Sequence, residues 1–179
     1  MNIEHLRSTI ESTIASLLHS VVQLPDELEV IREFEGESLT IWNLRCNAGD
    51  RGRIIGKNGD RFQSLRTIAQ LIGQRSGHQC KIGELLPSNE PPAIRLPRRF
   101  SPDPNWPAGE VTEMARIVAS TIFGPTKIEL IGIGQSAVIR MVPENPVPII
   151  DRRQAQPALD NLFSAIGTTH GVDLSIDIR

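Results

Sequence analysis

The sequence predicts an α+β fold of two small modules in tandem, each with a three-stranded sheet and its helices on one face of that sheet. Three observations predict it: helical and strand-like hydrophobic patterns alternate along the chain, a proline-rich stretch divides it, and the second half repeats part of the first in register. With 179 residues, 39% hydrophobic and 22% charged, the chain suits one or two globular domains. We therefore expect domains at residues 1–86 and 109–179, joined by a linker at residues 87–108.

The first module opens with apolar residues at spacings of three and four over residues 3–22, which predict an amphipathic helix. Alternating segments at 28–34 and 39–46 follow, and the turn between them predicts a β-hairpin. A glycine-rich segment then leads into a second amphipathic stretch, and a short strand at 79–85 closes the module. The expected order is α-β-β-α-α-β, counting a short helical turn before the glycines.

The proline-rich stretch holds seven of the 13 prolines, between positions 87 and 107. Proline can neither continue a helix nor donate a ladder hydrogen bond, so we expect an extended, semi-rigid linker. Beyond it the plan recurs. The patterns predict a helix at 111–123 and then a hairpin of 127–133 and 137–142 around Gly134-Gln135-Ser136. A second helix at 154–166 and a last strand at 172–178 follow.

The two halves match without a gap when the first is shifted by 94 residues. Because the paired glycines keep a fixed spacing, an internal duplication explains the match better than chance does. The same shift places Gly56 to Gly59 on residues 150–153, Ile-Asp-Arg-Arg, so the second copy lacks both glycines. The matched pairs are Leu65 and Leu159, Ile68 and Leu162, Ile72 and Ile166, Gly73 and Gly167, Gly77 and Gly171, and Ile82 and Ile176.

The strongest chemical signal is the loop Gly56-Lys57-Asn58-Gly59, which precedes a helix. Its glycines permit backbone angles and close approach that a Cβ forbids, and the helix N-terminus offers unpaired N–H groups. With Lys57 beside them, these groups predict a phosphate cradle. The sequence disfavours a nucleotide-binding P-loop, because Arg51 stands where its first glycine belongs and Asn58 where its hydroxyl belongs.

Residues 51–59, followed by an apolar helix and a strand, resemble the GxxG loop of a KH domain, and the element order resembles the type II arrangement. Over residues 1–86 the chain is similar to small bacterial KH-domain RNA-binding proteins, and the second half resembles a degenerate KH module. The resemblance implies single-stranded RNA in a groove, with the GxxG loop on its backbone, Ile54, Ile55 and Leu65 against its bases, and Cys80, Lys81 and Ile82 as its edge. The residues expected to bind RNA are Arg51, Arg53, Ile54, Ile55, Gly56, Lys57, Asn58, Gly59, Arg61, Leu65 and Lys81.

The distribution of charge supports this expectation, although the net charge is only −2. Positions 45–75 hold seven basic residues against two acidic ones, whereas positions 26–37 hold six acidic residues against one basic. The total therefore hides a basic region around the loop, whose contacts with phosphate would weaken with salt.

Catalysis finds little support in the sequence. No histidine stands at metal-ligand spacing and no nucleophile motif occurs, so we expect neither an enzyme nor a metal nor a cofactor. Cys46 and Cys80 form no CxxC, and we expect buried thiols in a reducing cytoplasm. Trp42 is either sheet surface or a stacking platform. No apolar run spans a membrane and the N-terminus lacks a secretory pattern.

The expected function is non-catalytic binding of single-stranded RNA by the first module, in post-transcriptional or ribosome-related regulation. Two alternatives stay open: a protein-interaction adaptor on a KH scaffold, and binding of single-stranded DNA. For the second module we expect a protein partner or a homodimer contact.

Overall fold

The computed structural model describes residues 3–87, 106–132 and 136–179. The chain divides into two compact units, Met1–Pro97 and Arg98–Arg179. Most of the predicted linker at 87–108 lies outside the described residues, and so do Gly134 and Gln135 of the predicted hairpin turn. Within the described ranges no helix is long and apolar enough to cross a lipid bilayer.

The first unit has the α-β-β-α-α-β order that the sequence predicts. Its middle strand pairs antiparallel with the first and parallel with the third, so the third strand forms one edge of the sheet. The elements are α1 (Ile3–His19), β1 (Glu29–Glu35), β2 (Leu39–Cys46), α2 (Arg51–Ile55), α3 (Asp60–Arg75) and β3 (Gln79–Pro87).

One face of this sheet packs against α1 and α3. Side chains alternate across a strand, so every second residue faces the helices. In β3, Cys80 and Ile82 are buried and Lys81 between them is exposed. In β2, Trp42 and Leu44 are fully buried. The core of the first unit therefore lies between the sheet and these two helices.

Trp42 and the two cysteines belong to this core. Trp42 is inaccessible to solvent, and its indole Nε1 donates a hydrogen bond to Glu11 Oε1 at 2.9 Å. The structure thus excludes both surface roles considered for Trp42. Cys46 and Cys80 are buried and free, and burial raises the pKa of each thiol to about 11.

The second unit repeats the sheet: its middle strand pairs antiparallel with the first and parallel with the last. Its elements are α4 (Ala108–Phe123), β4 (Thr126–Ile131), β5 (Ser136–Pro143), α5 (Ile149–Thr169) and β6 (Asp173–Ile178).

A single long helix in the second unit replaces two helices of the first. The full α-β-β-α-α-β plan of the expected fold class therefore does not recur in the second unit, whose order α-β-β-α-β is the one that its own hydrophobic patterns predict. In register, Pro146 and Pro148 fall where α2 would lie, and proline there prevents a regular helix. Residues 150–153 contain no glycine that could form a loop, so α5 begins already at Ile149, with Pro148 as its N-cap.

The paired glycines have the same physical cause in both units. A Cβ on Gly73 would lie 2.7 Å from Cys80 Sγ, and one on Gly167 would lie 2.6 Å from Leu174 Cβ, because each helix crosses closely over the last strand of its sheet. Gly77 and Gly171 adopt left-handed φ values of 66° and 70° in the turn that follows each helix. These two places therefore require glycine in either copy.

Candidate nucleic-acid interface

The GxxG loop, residues 56–59, joins α2 to α3 with three residues at positive φ. Gly56 has φ 76°, Asn58 has φ 56° and Gly59 has φ 85°. At Gly56 an added Cβ would also lie 2.7 Å from Arg61 Cγ, whereas at Gly59 it would meet open space. Both glycines are thus required by backbone angle, and Gly56 by close packing as well.

Arg61 and Arg53 hold the two sides of the loop together. The Arg61 guanidinium donates Nη1 to the Arg53 carbonyl oxygen at 2.8 Å, which ties α3 to the preceding helix. Burial, together with the nearby charge of Arg53, lowers the pKa of Arg61. Arg53 in turn pairs through Nε with Asp50 Oδ1 at 3.4 Å. Both arginines therefore shape the loop from within.

Asp50 anchors the start of α2. Its carboxylate is buried, and it accepts hydrogen bonds from the backbone N–H of Gln23 at 2.9 Å and of Leu24 at 3.1 Å. Because those two residues follow α1, the segment after α1 and the base of the GxxG loop are held by one carboxylate.

Other basic residues around the loop bind backbone carbonyls of β3. Arg51 donates Nη1 to Leu85 O at 2.9 Å. Arg66 donates Nε to Ile82 O at 3.0 Å and Nη2 to Gly83 O at 2.7 Å, while its guanidinium stacks over the Phe62 ring. These cations secure β3 against the helices in addition to adding positive charge.

Lys57 and Lys81 differ from these arginines because their side chains are exposed. Among the described residues neither has an ion-pair partner within 4.0 Å. Lys57 stands in the loop and Lys81 on β3. Their charge is therefore available to a ligand.

The acidic run of the first unit is partly neutralised. Glu29 pairs with Arg45 at 2.7 Å, and Glu35 pairs with Arg7 at 3.2 Å. The charge of Arg45 is thus paired within the hairpin, and Arg45 contributes less positive charge to the basic region than the sequence suggests.

The apolar residues predicted to line the groove separate into two groups. Ile54 and Leu65 have no exposed surface, because α2 and α3 turn them into the core, so their predicted contact with bases is corrected. Ile55 is 36% exposed and stands directly before Gly56. Of the three, Ile55 is the one that a ligand can reach.

A groove of about 600 Å³ runs between α3 and the edge strand β3, a volume typical of ligand sites. We call it the α3–β3 groove. It includes the predicted edge residues 80–82 and several amides that the sequence reasoning missed. Their spacing of seven and four residues on α3 was the available signal. Its lining is Gln63, Arg66, Gln70 and Gln74 on α3 and residues 78–82.

In the second unit, α5 itself occupies the corresponding edge. Asp160 Oδ1 accepts the N–H of Ile176 at 2.9 Å. The Gln156 amide donates to Ile176 O and accepts the N–H of Ile178 at 3.1 Å. By register, Asp160 is the counterpart of Arg66, so the second copy places an acid where the first has a base.

The start of α5 stands in the place of the GxxG loop and is apolar. Ile149 and Ile150 are 71% and 65% exposed, and Arg152 and Arg153 next to them are exposed as well. This surface has a helix N-terminus and two arginines but none of the glycines of the first unit's cradle.

The first unit has the features that define a KH domain: a GxxG loop between two helices, and a three-stranded mixed sheet beside them. A family model described as "KhpA/KhpB, KH domain" matches residues 11–82. The chain belongs to this small bacterial KH-domain family.

Three relatives illustrate the similarity, each carrying the name RNA-binding protein KhpA. The protein of Oceanobacillus iheyensis is 38% identical over 63 residues, 35% of this chain and 77% of the relative. That of Aquifex aeolicus is 31% identical over 70 residues, 39% of this chain and 87% of the relative. That of Bacillus subtilis is 28% identical over 72 residues, 40% and 88% respectively.

Proposed function

We propose that this chain binds single-stranded RNA through its first unit, with the GxxG loop on the sugar-phosphate backbone and the α3–β3 groove along the bases. The observation that carries the proposal is an intact GxxG loop with positive φ values and an unpaired Lys57, which ends four residues before Gln63, the first residue of α3 that lines the groove. The relatives named RNA-binding protein support the choice of ligand.

The loop suits a phosphate for two reasons. The N-terminus of α3 leaves N–H groups without helical partners and carries partial positive charge. Gly56 and Gly59 keep that end uncovered, and the Lys57 ammonium adds a full charge beside it. Anions bind at such a terminus without further ligands.

The arginines around the loop have a different role from Lys57 in this proposal. Arg51, Arg53 and Arg61 each donate to or pair with groups of the protein, so they act mainly as positioning residues. Their charge still raises the local potential and speeds the approach of a polyanion. Lys57 and Lys81 supply the direct contacts.

The biological role we propose is non-catalytic, in post-transcriptional or ribosome-related regulation. For the second unit, the exposed pair Ile149 and Ile150 favours contact with a protein, either a partner or a second copy. Large apolar side chains exposed together commonly mark interaction sites.

The test is the affinity for short single-stranded RNA of random sequence, measured by fluorescence anisotropy on the full chain. The variant combines Lys57→Asp with Asn58→Asp. Both side chains are exposed, so the fold should survive. We expect affinity to fall by at least about tenfold, because negative charge then faces the phosphates.

A matched control places the same change of charge on the second unit. Arg152→Asp with Gln154→Asp alters two exposed residues of α5, and it should leave RNA affinity unchanged. Equal binding by the folded loop variant and the wild type would overturn the proposal. Single-stranded DNA of the same sequences distinguishes the remaining alternative, since equal affinity for DNA would show no use of the 2′-hydroxyl.

A further inference from the structure

We propose that the α3–β3 groove reads bases through a row of amides and binds adenine in preference to guanine. This inference rests on the proposed function, because it assumes that a single strand lies in the groove. The row consists of Gln63, Gln70 and Gln74, all on the face of α3 that lines the groove.

The spacing of the row suits a strand of several nucleotides. Gln63 and Gln70 are two turns apart, about 10 Å along the helix axis, and Gln74 follows about 6 Å further. Stacked bases in a strand are separated by about 3.4 Å. The row is therefore long enough to meet more than one base. Gln63 and Gln70 are exposed on α3, so both amides are free to turn toward a ligand.

Amide chemistry distinguishes the two purines. A glutamine side chain offers one donor and one acceptor, which match the N7 acceptor and N6 donor of adenine. Guanine presents two acceptors there, O6 and N7, and needs two donors such as a guanidinium supplies. Arg66 is the guanidinium of the groove, and its Nε and Nη2 already bind Ile82 O and Gly83 O. Lys81, the other cation of the groove, is assigned to phosphate in the proposed function, so the remaining side chains of the groove favour the adenine pattern.

The second unit shows that the fold itself does not require these amides. In register, Gln63, Gln70 and Gln74 correspond to Pro157, Ser164 and Thr168 of α5, which also packs against the last strand of its sheet. A position that accepts proline, serine or threonine in an equivalent helix is not constrained by packing. The amides of the first unit are therefore available for a role in binding.

The experiment uses the full chain and short oligouridine RNAs that carry adenine, guanine or 7-deazaadenine at the same central positions. A good bidentate contact corresponds to about tenfold in affinity. We expect adenine to bind about tenfold tighter than guanine, and 7-deazaadenine, which lacks the N7 acceptor, to lose most of that advantage.

The variant Gln63→Ala with Gln70→Ala should bring the adenine-to-guanine ratio close to one. Alanine is a strong helix former, so α3 is preserved. Gln154→Ala, at an exposed glutamine of α5, is the matched control and should leave the ratio unchanged.

Two results would overturn the inference, and they differ in what they imply for RNA binding. In the first, the protein binds adenine-containing and guanine-containing RNA equally well, and Lys57→Asp with Asn58→Asp still abolishes binding. This result would disprove base recognition by the amides and leave the proposed function standing. Failure to bind any of these RNAs removes the amide reading together with the proposed function.

Discussion

The two units share a frame and differ at two places on it. Both have a mixed three-stranded sheet, the same two glycine requirements and buried residues in register such as Leu65 and Leu159. They differ at the loop before the long helix and at the contact of that helix with the edge strand. The comparison teaches that packing maintains the fold through few positions, while binding depends on others that can change independently.

The edge contacts show this difference most directly. In the first unit Arg66 holds two carbonyls of β3 and leaves a groove beside the strand. In the second, Gln156 and Asp160 bind both N–H and carbonyl groups of β6. The face of α3 thus leaves room for a ligand beside β3, whereas side chains of α5 bind the backbone groups of β6 that a ligand would contact.

The largest expected effect concerns Asp50, whose counterpart in register is Glu144. Asp50→Ala removes the acceptor of the Gln23 and Leu24 N–H groups, and hydrogen bonds to a charged group contribute about 1.5–3 kcal/mol each. We expect the first unit to lose about 3 kcal/mol, measured by hydrogen exchange resolved to each unit. Glu144→Ala, at an exposed residue, should change stability by less than about 0.5 kcal/mol. Equal losses from the two variants would break the comparison.

A smaller effect is expected at Gly56. Gly56→Ala forces a side chain into the left-handed region and against Arg61, which costs about 2 kcal/mol. Gly59→Ala meets open space and should cost about 1 kcal/mol. Urea unfolding followed by circular dichroism measures both. The control is Ile150→Ala in the second unit, where the chain is helical and exposed, and where little change in stability is expected. A fully stable Gly56→Ala protein would contradict the observed loop geometry.

The smallest effect concerns salt. Each phosphate contact to a single strand contributes about 0.7 to the slope of log affinity against log salt concentration. Lys57→Gln should therefore reduce that slope by about 0.7, as titration at several salt concentrations would show. Arg152→Gln, on the second unit, should leave it unaltered. If Arg152→Gln reduced the slope more than Lys57→Gln, RNA would bind the second unit, and the proposal would be contradicted.

Much of the first unit was predictable, because hydrophobic period and turn residues act locally. The spacing around Leu6 and Ile10 predicted α1, the alternation in residues 39–46 predicted β2 with the observed bounds, and the glycines predicted the loop. In the second unit the extent of α5 was missed, since prolines before the helix and absent glycines decide where it starts.

The site was less predictable because it depends on contacts between distant residues. Ile54 and Leu65 were predicted from the resemblance to contact bases, yet both side chains are fully buried in the core. Arg51 and Arg61 look like ligand contacts, yet both donate to carbonyls. Polar spacing on α3 indicated an exposed face, and only the position of β3 shows that this face forms a groove.

The contact of α5 side chains with the backbone of β6 has a consequence for association between chains. An uncovered edge strand is a template for an incoming strand, and proteins usually block it with charge, proline or a bulge in the strand itself. Here two residues of the neighbouring helix, Gln156 and Asp160, provide the block, because they occupy the hydrogen-bonding groups of Ile176 and the N–H of Ile178. Replacing both with alanine would therefore expose a template for strand addition, and the defect would appear as concentration-dependent aggregation of a still folded protein.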